Sequence, residues 1–381
     1  MIERDGDDAQ ALYIGLISGT SADGIDAALV RFKQDRPQWI DALTHPWPNA
    51  IRTDILRIAQ GETCFDLDEY GHLDVAIGQT FADAVQALLK QSRTPASAIR
   101  AIGSHGQTIR HRPSGNYPFT LQIGDPSVIA ERSGIDVVAD FRRADMAAGG
   151  QGAPLLPAVH AMLLATPGRT RVILNLGGIA NVTILSANGG VLGFDTGPAN
   201  GLMDAWCLRH RGEAFDRDGV FAASGQVDEA LLANLLRDPY FALRPPKSTG
   251  REHFHLGWLD AQLPTPSLPP ADVQATLLEL TARSVVDAID AHANDADEVL
   301  ICGGGVHNGA LRNRLCALLE PRALTSTAAH GVDPDYLEAT AFAWLARQRL
   351  LGLPGNLPPV TGARGYRVLG AVYPAPNAST P

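Results

Sequence analysis

The stretch LYIGLISGTSADGIDAALV, residues 12–30, sets a polar turn of small residues between two apolar runs. The runs Leu12–Ser18 and Ile25–Phe32 are rich in Ile, Leu and Val and predict a β-hairpin. Two residues would suffice to turn such a hairpin. This turn instead carries Gly19 and Gly24, hydroxyls at Ser18, Thr20 and Ser21, and carboxylates at Asp23 and Asp26. Backbone N–H groups and hydroxyls gathered in one turn can converge on phosphate oxygens. The same residue types also permit tight turns with no ligand at all. Two phosphate motifs are excluded: no Gly-Lys pair exists for a P-loop, and the turn leads back into a strand rather than into the helix of a dinucleotide fingerprint.

A second hairpin is predicted about 160 residues later, Val172–Leu176 and Val182–Leu185 around GGIAN. Repetition at that distance is too long for a solenoid. It points to an α/β protein of two similar lobes, with ligands taken in a cleft between them. The chain of 381 residues is longer than one core usually organises, which agrees. A net charge of −10 and the absence of a basic stripe argue against nucleic acid or an anionic membrane as partner. Cys64, Cys207, Cys302 and Cys316 show no C-x-x-C spacing. They are expected to be buried thiols of a reducing compartment, and no signal peptide or membrane span is legible, so a cytoplasmic protein is expected.

The other chemistry-bearing stretches follow in order. AIRAIGSHGQTIRHRP is expected to be a short strand ending in a polar loop, where His105, Gln107 and Thr108 suit hydrogen bonding to a polyol or sugar. DFRRADMAAGGQGAP offers Asp140, Arg142, Arg143 and Asp145; one Arg would suit a substrate carboxylate, and a solvated ion-pair cluster is the alternative. GFDTGPAN is expected to be a turn that holds Asp195 before a helix; helix capping competes there with a role as a base. PPKSTGREHFHL places Lys247, Thr249, Arg251 and Glu252 in one loop, followed by His253 and His255 alternating as in a strand. ICGGGVHNGAL sets three glycines, Gly303, Gly304 and Gly305, between a strand and a helix, which lets a flat group such as adenine approach the backbone. Glu338 opens a helix, where an acidic residue is ordinary dipole chemistry. Helices are further expected over Leu73–Lys90, Leu277–Ala293 and Leu337–Leu351, a strand over Glu298–Cys302, and a last strand over Arg367–Ala371.

Taken in order, GLISGTSADGIDAALV, GSHGQTIRHRP, QIGDPSVIAERSGIDVVADFRRADMAAGGQGAPLLP, NLGGIANVTIL, GFDTGPANGLMD, RPPKSTGREHF, ICGGGVHNGAL and LEATAFAWLA resemble the anhydro-N-acetylmuramic acid kinases. These belong to the sugar kinase, Hsp70 and actin superfamily. The resemblance implies two duplicated actin-like ATPase lobes, ribonuclease-H-like, with an ATP and substrate cleft between them. The implied division is residues 1–140 plus 355–381 for one lobe and 141–354 for the other. It implies ATP phosphates on Gly19, Thr20, Ser21, Ala22, Asp23, Gly24, Ile25 and Asp26, and adenosine on Gly303–Gly305. Asp195 would be the catalytic aspartate, His105, Gln107, Arg142 and Lys247 the sugar contacts, and Asp23 and Glu338 the residues for Mg2+. The implied reaction cleaves the 1,6-anhydro ring with water and phosphorylates O6 in peptidoglycan recycling. The substrate is then a small amino sugar, and a homodimer is the expected assembly. A conventional sugar kinase acting on a free hydroxyl and a non-catalytic actin-like ATP switch stay open as alternatives. Three positions depart from the pattern: Ala22 replaces a larger apolar residue, Ala199 replaces Gly, and Leu16 stands where many superfamily sugar kinases carry a strand aspartate.

Overall fold

The computed structural model describes residues 11–19, 22–33, 36–59, 66–251, 253–265 and 268–376. Its contacts divide into two compact units, residues 1–162 with 338–381 and residues 163–337.

In the first unit β1 (Leu12–Ser18) pairs antiparallel with β2 (Ile25–Lys33), and β2 with β3 (Arg36–His45). On its other side β1 runs parallel to β4 (Ile99–Arg112), which runs parallel to β6 (Val137–Ala139). Strand β5 (Phe119–Ile123) folds back on the far end of β4, and β12 (Ala371–Tyr373) closes the edge beside β6. The spatial order is therefore β3-β2-β1-β4-β6. All seven residues of β1 are buried, as an unbroken apolar run between covered faces requires. One face is covered by the helix Leu67–Ser92, which starts in a reciprocal capping box of Asp66 with Glu69 and buries Leu73, Ile77, Phe81, Val85 and Leu88.

The helix Leu337–Leu350 lies so close to the sheet that a Cβ on Gly15 would fall 1.7 Å from the Ala339 carbonyl oxygen. One on Gly103 would fall 2.0 Å from that of Phe342. Glycine at these two strand positions is what lets the helix backbone touch the strands. This contact draws residues 338–354 into the first unit, and 141–162 go with it, where the sequence reading placed both in the second lobe.

The second unit repeats the order. Strands β7 (Arg171–Leu176), β8 (Ile179–Leu185) and β9 (Val191–Pro198) form an antiparallel meander, and β7 runs parallel to β10 (Glu298–Cys302), which runs parallel to β11 (Ala323–Ser326). The order β9-β8-β7-β10-β11 is that of the first unit, strand for strand. The helix Pro270–His292 buries Val273, Leu277, Leu280, Val285 and Ile289 in this unit's core. The protein is thus a duplicated α/β fold of the actin-like ATPase type.

Several expectations are corrected here. GSHGQTIRH is not a loop but the middle of the fourteen-residue β4. The Asp-Thr-Gly-Pro segment lies within β9, because β8 offers it a full antiparallel partner. Strand β3 was not legible in its mixed sequence RPQWIDALTH, and the last strand falls at Ala371–Tyr373. His253 and His255 are not in a strand: His253 meets Asp238 at 3.0 Å and His255 caps the helix Leu256–Asp260. Cys207 and Cys302 are buried and in no disulfide, whereas Cys316 is exposed; Cys64 lies outside the described residues.

Candidate active site

In the first unit the hairpin turn is gripped by side chains from three places. Gln107 donates through Nε2 to the Gly19 carbonyl at 3.2 Å, Arg52 through Nε to the Ala22 carbonyl at 2.8 Å, and Trp47 through Nε1 to the Ser18 hydroxyl at 3.2 Å. Ala22 takes a left-handed φ of 49° and returns its N–H to the Gly19 carbonyl. Its small side chain is fully buried in that strained position. Gly24 has no room for a side chain, since a Cβ would come 2.3 Å from Thr44 Cγ2, and Thr44 bonds Asp26 Oδ1 at 2.7 Å. Asp23 is exposed at the tip; Thr20 and Ser21 lie outside the described residues. Leu16 is fully buried, so no carboxylate points from that strand position.

Beside the hairpin, β4 gains one residue over β1: Leu16 faces Ser104 but Ser18 faces Gln107. Such a bulge re-aims side chains. His105 is buried with its ring 4.6 Å from that of Phe342. Its Nδ1 lies 3.0 Å from the Gly106 carbonyl, which can only accept, so Nδ1 carries the proton. Nε2 then accepts from Arg142 Nε at 3.0 Å. Burial holds the imidazole well below its ordinary pKa, Arg142 adds to this, and the Gly106 bond opposes it. Both ring nitrogens of His105 are therefore occupied in positioning Arg142. The guanidinium also donates from Nη1 to the Gly152 carbonyl at 2.8 Å. Burial lowers its pKa to about 10, against the favourable charges of Glu338 and Asp145. Asp145 is itself fully buried and receives Gly152 N–H, Asn356 and Thr361.

In the second unit Asp195 sits on β9, where Thr196 is an extra residue opposite the Ala180–Asn181 step. Its Oδ2 accepts from Thr249 N–H at 2.9 Å. Its backbone N–H donates to the Lys247 carbonyl at 3.3 Å, and its carbonyl accepts from the Tyr240 hydroxyl at 2.7 Å. The loop of residues 245–251 thus fixes both the backbone and the carboxylate of Asp195. The Lys247 ammonium lies 4.6 Å from the Tyr240 ring centre and donates to the Tyr240 carbonyl at 3.3 Å. Burial pulls its pKa down while the Asp195 charge pushes it back up. Burial, and then Asp195, raise that of Tyr240.

The two glycine turns of this unit meet. The carbonyl of Gly178 accepts from Ala199 and Gly201 N–H, and that of Gly177 from Asn200 N–H, each at 3.1 Å. A Cβ on Gly303 would lie 2.2 Å from Asn175 Oδ1, and one on Gly305 2.5 Å from Leu176 Cβ. A Cβ on Gly304, by contrast, would meet nothing within 4 Å. Gly303 and Gly305 are thus required by packing, whereas the space beside Gly304 is open.

The sequence profile of the anhydro-N-acetylmuramic acid kinases matches residues 11–375, with the glycine turns, Asp195 and its loop all inside the match. The chain belongs to the anhydro-N-acetylmuramic acid kinase family. The anhydro-N-acetylmuramic acid kinase of Xanthomonas campestris pv. campestris strain 8004 is 56% identical over 367 residues, covering 96% of this chain and 97% of that protein. That of Coxiella burnetii strain Dugway 5J108-111 is 51% identical over 363 residues, covering 95% and 97%. Among solved structures, component A of the (R)-2-hydroxyglutaryl-CoA dehydratase of Acidaminococcus fermentans overlaps 88% of this chain and 96% of its own, with 12% identity and a TM-score of 0.47. The duplicated strand order, not that overlap, carries the fold. As a member of the anhydro-N-acetylmuramic acid kinase family the chain is an enzyme, a kinase.

For this kinase the structure brings the expected residues together in groups. Gln107 joins Gly19, Ala22, Asp23, Gly24 and Asp26 around the first hairpin; His105 joins Arg142 and Glu338; Lys247 joins Asp195. Sequence reasoning gave no role to Tyr240 or Thr249, both of which bond Asp195. Thr249 was visible in the KSTGRE loop, but a backbone N–H leaves no mark of its own in a sequence. No three His, Cys, Asp or Glu side chains gather into a metal cluster among the described residues, and no helix there is long and apolar enough to cross a membrane.

Proposed function

We propose that this kinase takes 1,6-anhydro-N-acetylmuramic acid and ATP, opens the anhydro bridge with water, and releases N-acetylmuramic acid 6-phosphate and ADP. In the cell this would recover a cell-wall sugar in the cytoplasm. What supports the reading is Asp195: one carboxylate held by the Thr249 N–H, beside a partly buried ammonium, in a chain of this family.

In this substrate O6 is tied to C1 and has no proton to lose. Asp195 takes a proton from water, whose oxygen attacks C1. The C1–O6 bond breaks, and the electron pair left on O6 attacks the γ-phosphorus. The bond from that phosphorus to the β-phosphate oxygen breaks and ADP leaves; the proton on Asp195 returns to solvent. One carboxylate suffices, because the phosphoryl group captures the leaving oxygen that a glycosidase would protonate with a second. The hairpin of residues 19–26 would receive the phosphates and the open backbone at Gly304 the adenosine. Arg142, held rigidly by His105, would receive the sugar's carboxylate. A magnesium ion bound with ATP would neutralise charge on the phosphates. Asp23, an exposed carboxylate at the hairpin tip, suits it better than Glu338, which is coupled to Arg142.

The test is incubation with ATP, magnesium and the anhydro-sugar in heavy-oxygen water, followed by mass spectrometry. The expected product carries one phosphate and one heavy oxygen at C1. A phosphorylated sugar without label would instead mean an ordinary kinase. ATP turnover indifferent to any sugar would mean a switch protein.

A further inference from the structure

Asp195 sits on β9, the edge strand of the second sheet, and an edge leaves one row of backbone groups without a strand to pair with. At Asp195 that row is filled from residues 240 and 247. Its N–H meets the Lys247 carbonyl at 3.3 Å, and its carbonyl accepts the Tyr240 hydroxyl at 2.7 Å.

Tyr240 is itself held from several sides. It is 4% exposed and lies in the short helical turn Pro239–Ala242. Asp238 caps that turn, accepting the Tyr240 N–H through Oδ1 at 2.9 Å. Its Oδ2 accepts from His253 Nε2 at 3.0 Å and from Trp258 Nε1 at 2.9 Å. Burial would raise the Asp238 pKa, but the bonds from His253, Tyr240 and Trp258 together hold it below the ordinary carboxylate value. Phe254 packs edge-on against the Tyr240 ring at 5.6 Å, and Trp258 edge-on against Phe254 at 5.0 Å. Phe241 presses on β9 two residues beyond Asp195, where a Cβ on Gly197 would fall 2.7 Å from its ring.

The same tyrosine seats the ammonium. Lys247 Nζ lies 4.6 Å from the ring centre and donates to the carbonyls of Tyr240 and Phe241 at 3.3 and 3.4 Å. One side chain thus touches both the backbone that carries the carboxylate and the cation beside it.

We propose that Tyr240, anchored by Asp238, is a positioning residue that sets Asp195 and Lys247 relative to each other for the chemical step; this rests on the functional reading above, in which Asp195 is the base. The hydroxyl has one proton and gives it to the Asp195 carbonyl. Tyr240 therefore acts through Asp195 and not on the sugar.

Tyr240→Phe removes the hydroxyl and keeps the ring beside Lys247, in a side chain of almost the same shape. Tyr240→Leu removes both. Each would be assayed for kcat and KM with ATP, magnesium and 1,6-anhydro-N-acetylmuramic acid, alone and combined with Asp195→Asn. Tyr240→Phe is expected to lower kcat about tenfold, less than the roughly 100-fold that a 1 Å misplacement can cost, and to leave both KM values unmoved. Tyr240→Leu should lower kcat further. Added to Asp195→Asn, Tyr240→Phe should cost nothing more. Native kcat in Tyr240→Phe would overturn the assignment alone, as would a loss carried by KM or a tenfold loss that persists on top of Asp195→Asn. Near-normal turnover of Asp195→Asn would overturn the functional reading and this assignment with it.

Discussion

The two units share a strand order and differ at the turn between their first two strands. In the first, six residues separate β1 from β2, and Gln107, Arg52 and Trp47 hold that turn from outside. In the second, two glycines separate β7 from β8, and the start of the helix Asn200–Arg211 closes on them through three backbone bonds. Across the sheet the difference continues. The row near the second turn reads Asn175–Asn181–Asp195, all polar; its counterpart in the first unit reads Leu16–Ala27–Leu43. On the function proposed above, one copy of the fold would serve as a cradle and the other as the mount for a carboxylate. A long turn can wrap a ligand but needs external support, whereas a two-residue turn is rigid and leaves a neighbouring strand free to carry chemistry.

The largest effect should come from the carboxylate. Asp195→Asn is expected to lower kcat by about 10³-fold, within the range for loss of a general base, with ATP affinity little changed by equilibrium titration. Near-normal turnover would erase the division of labour between the units. Next, Gly15→Ala forces a Cβ onto the Ala339 carbonyl. It should destabilise the first unit by about 3 kcal/mol in denaturant unfolding, the upper end for overpacking. Gly304→Ala in the second unit should stay within about 0.5 kcal/mol, since nothing opposes its Cβ.

Acid should separate the units as well. His105 and His160 are buried in the first unit with pKa values held far below the ordinary 6.5, that of His160 at about 3, by burial. A depressed pKa means that the unfolded chain takes up protons first. The stability is whole above pH 6.5 and falls as pH drops below it. At pH 5 the loss is about 2 kcal/mol for His160, and His105 adds a loss of the same sign. The lowered histidines of the second unit, His210 and His292, are exposed. Hydrogen exchange at pH 5 should therefore reach β4 before β7; simultaneous loss would sink this contrast. A modest change is expected from Arg52→Ala, which frees one carbonyl of the first turn. It should raise KM for ATP about fivefold, in line with a single hydrogen bond, and leave kcat alone.

Much of this was legible in the chain. Glycines and small polar residues between two runs of Ile, Leu and Val announce a hairpin whatever surrounds it, because they act through local backbone freedom. The first hairpin, the strand Glu298–Cys302 and the helix from Leu337 were placed to within a residue or two. The second hairpin was placed to within three, its second strand starting at Ile179 rather than Val182. Strand β3 was not, since it alternates charged and apolar residues at a partly exposed edge and is defined by pairing with β2. GSHGQTIRH looked like a loop for the opposite reason: its glycines serve a bulge and close packing, which only neighbouring strands and helices make necessary.

The sequence by itself determined that two α/β halves would each turn on glycine. That conclusion rests on residue type and near neighbours, whereas Asp195, Arg142, His105 and Lys247 were candidates that the family resemblance singled out. Only the tertiary structure decided what each group does, because partners come from distant segments: His105 holds Arg142 across 37 positions, Thr249 fixes Asp195 across 54, and the helix after residue 337 belongs to the first unit. Burial made the rest of the difference. It left the hydroxyl of Ser104 unpaired and moved the pKa of His105, effects that depend on the packing around an atom and not on its place in the chain.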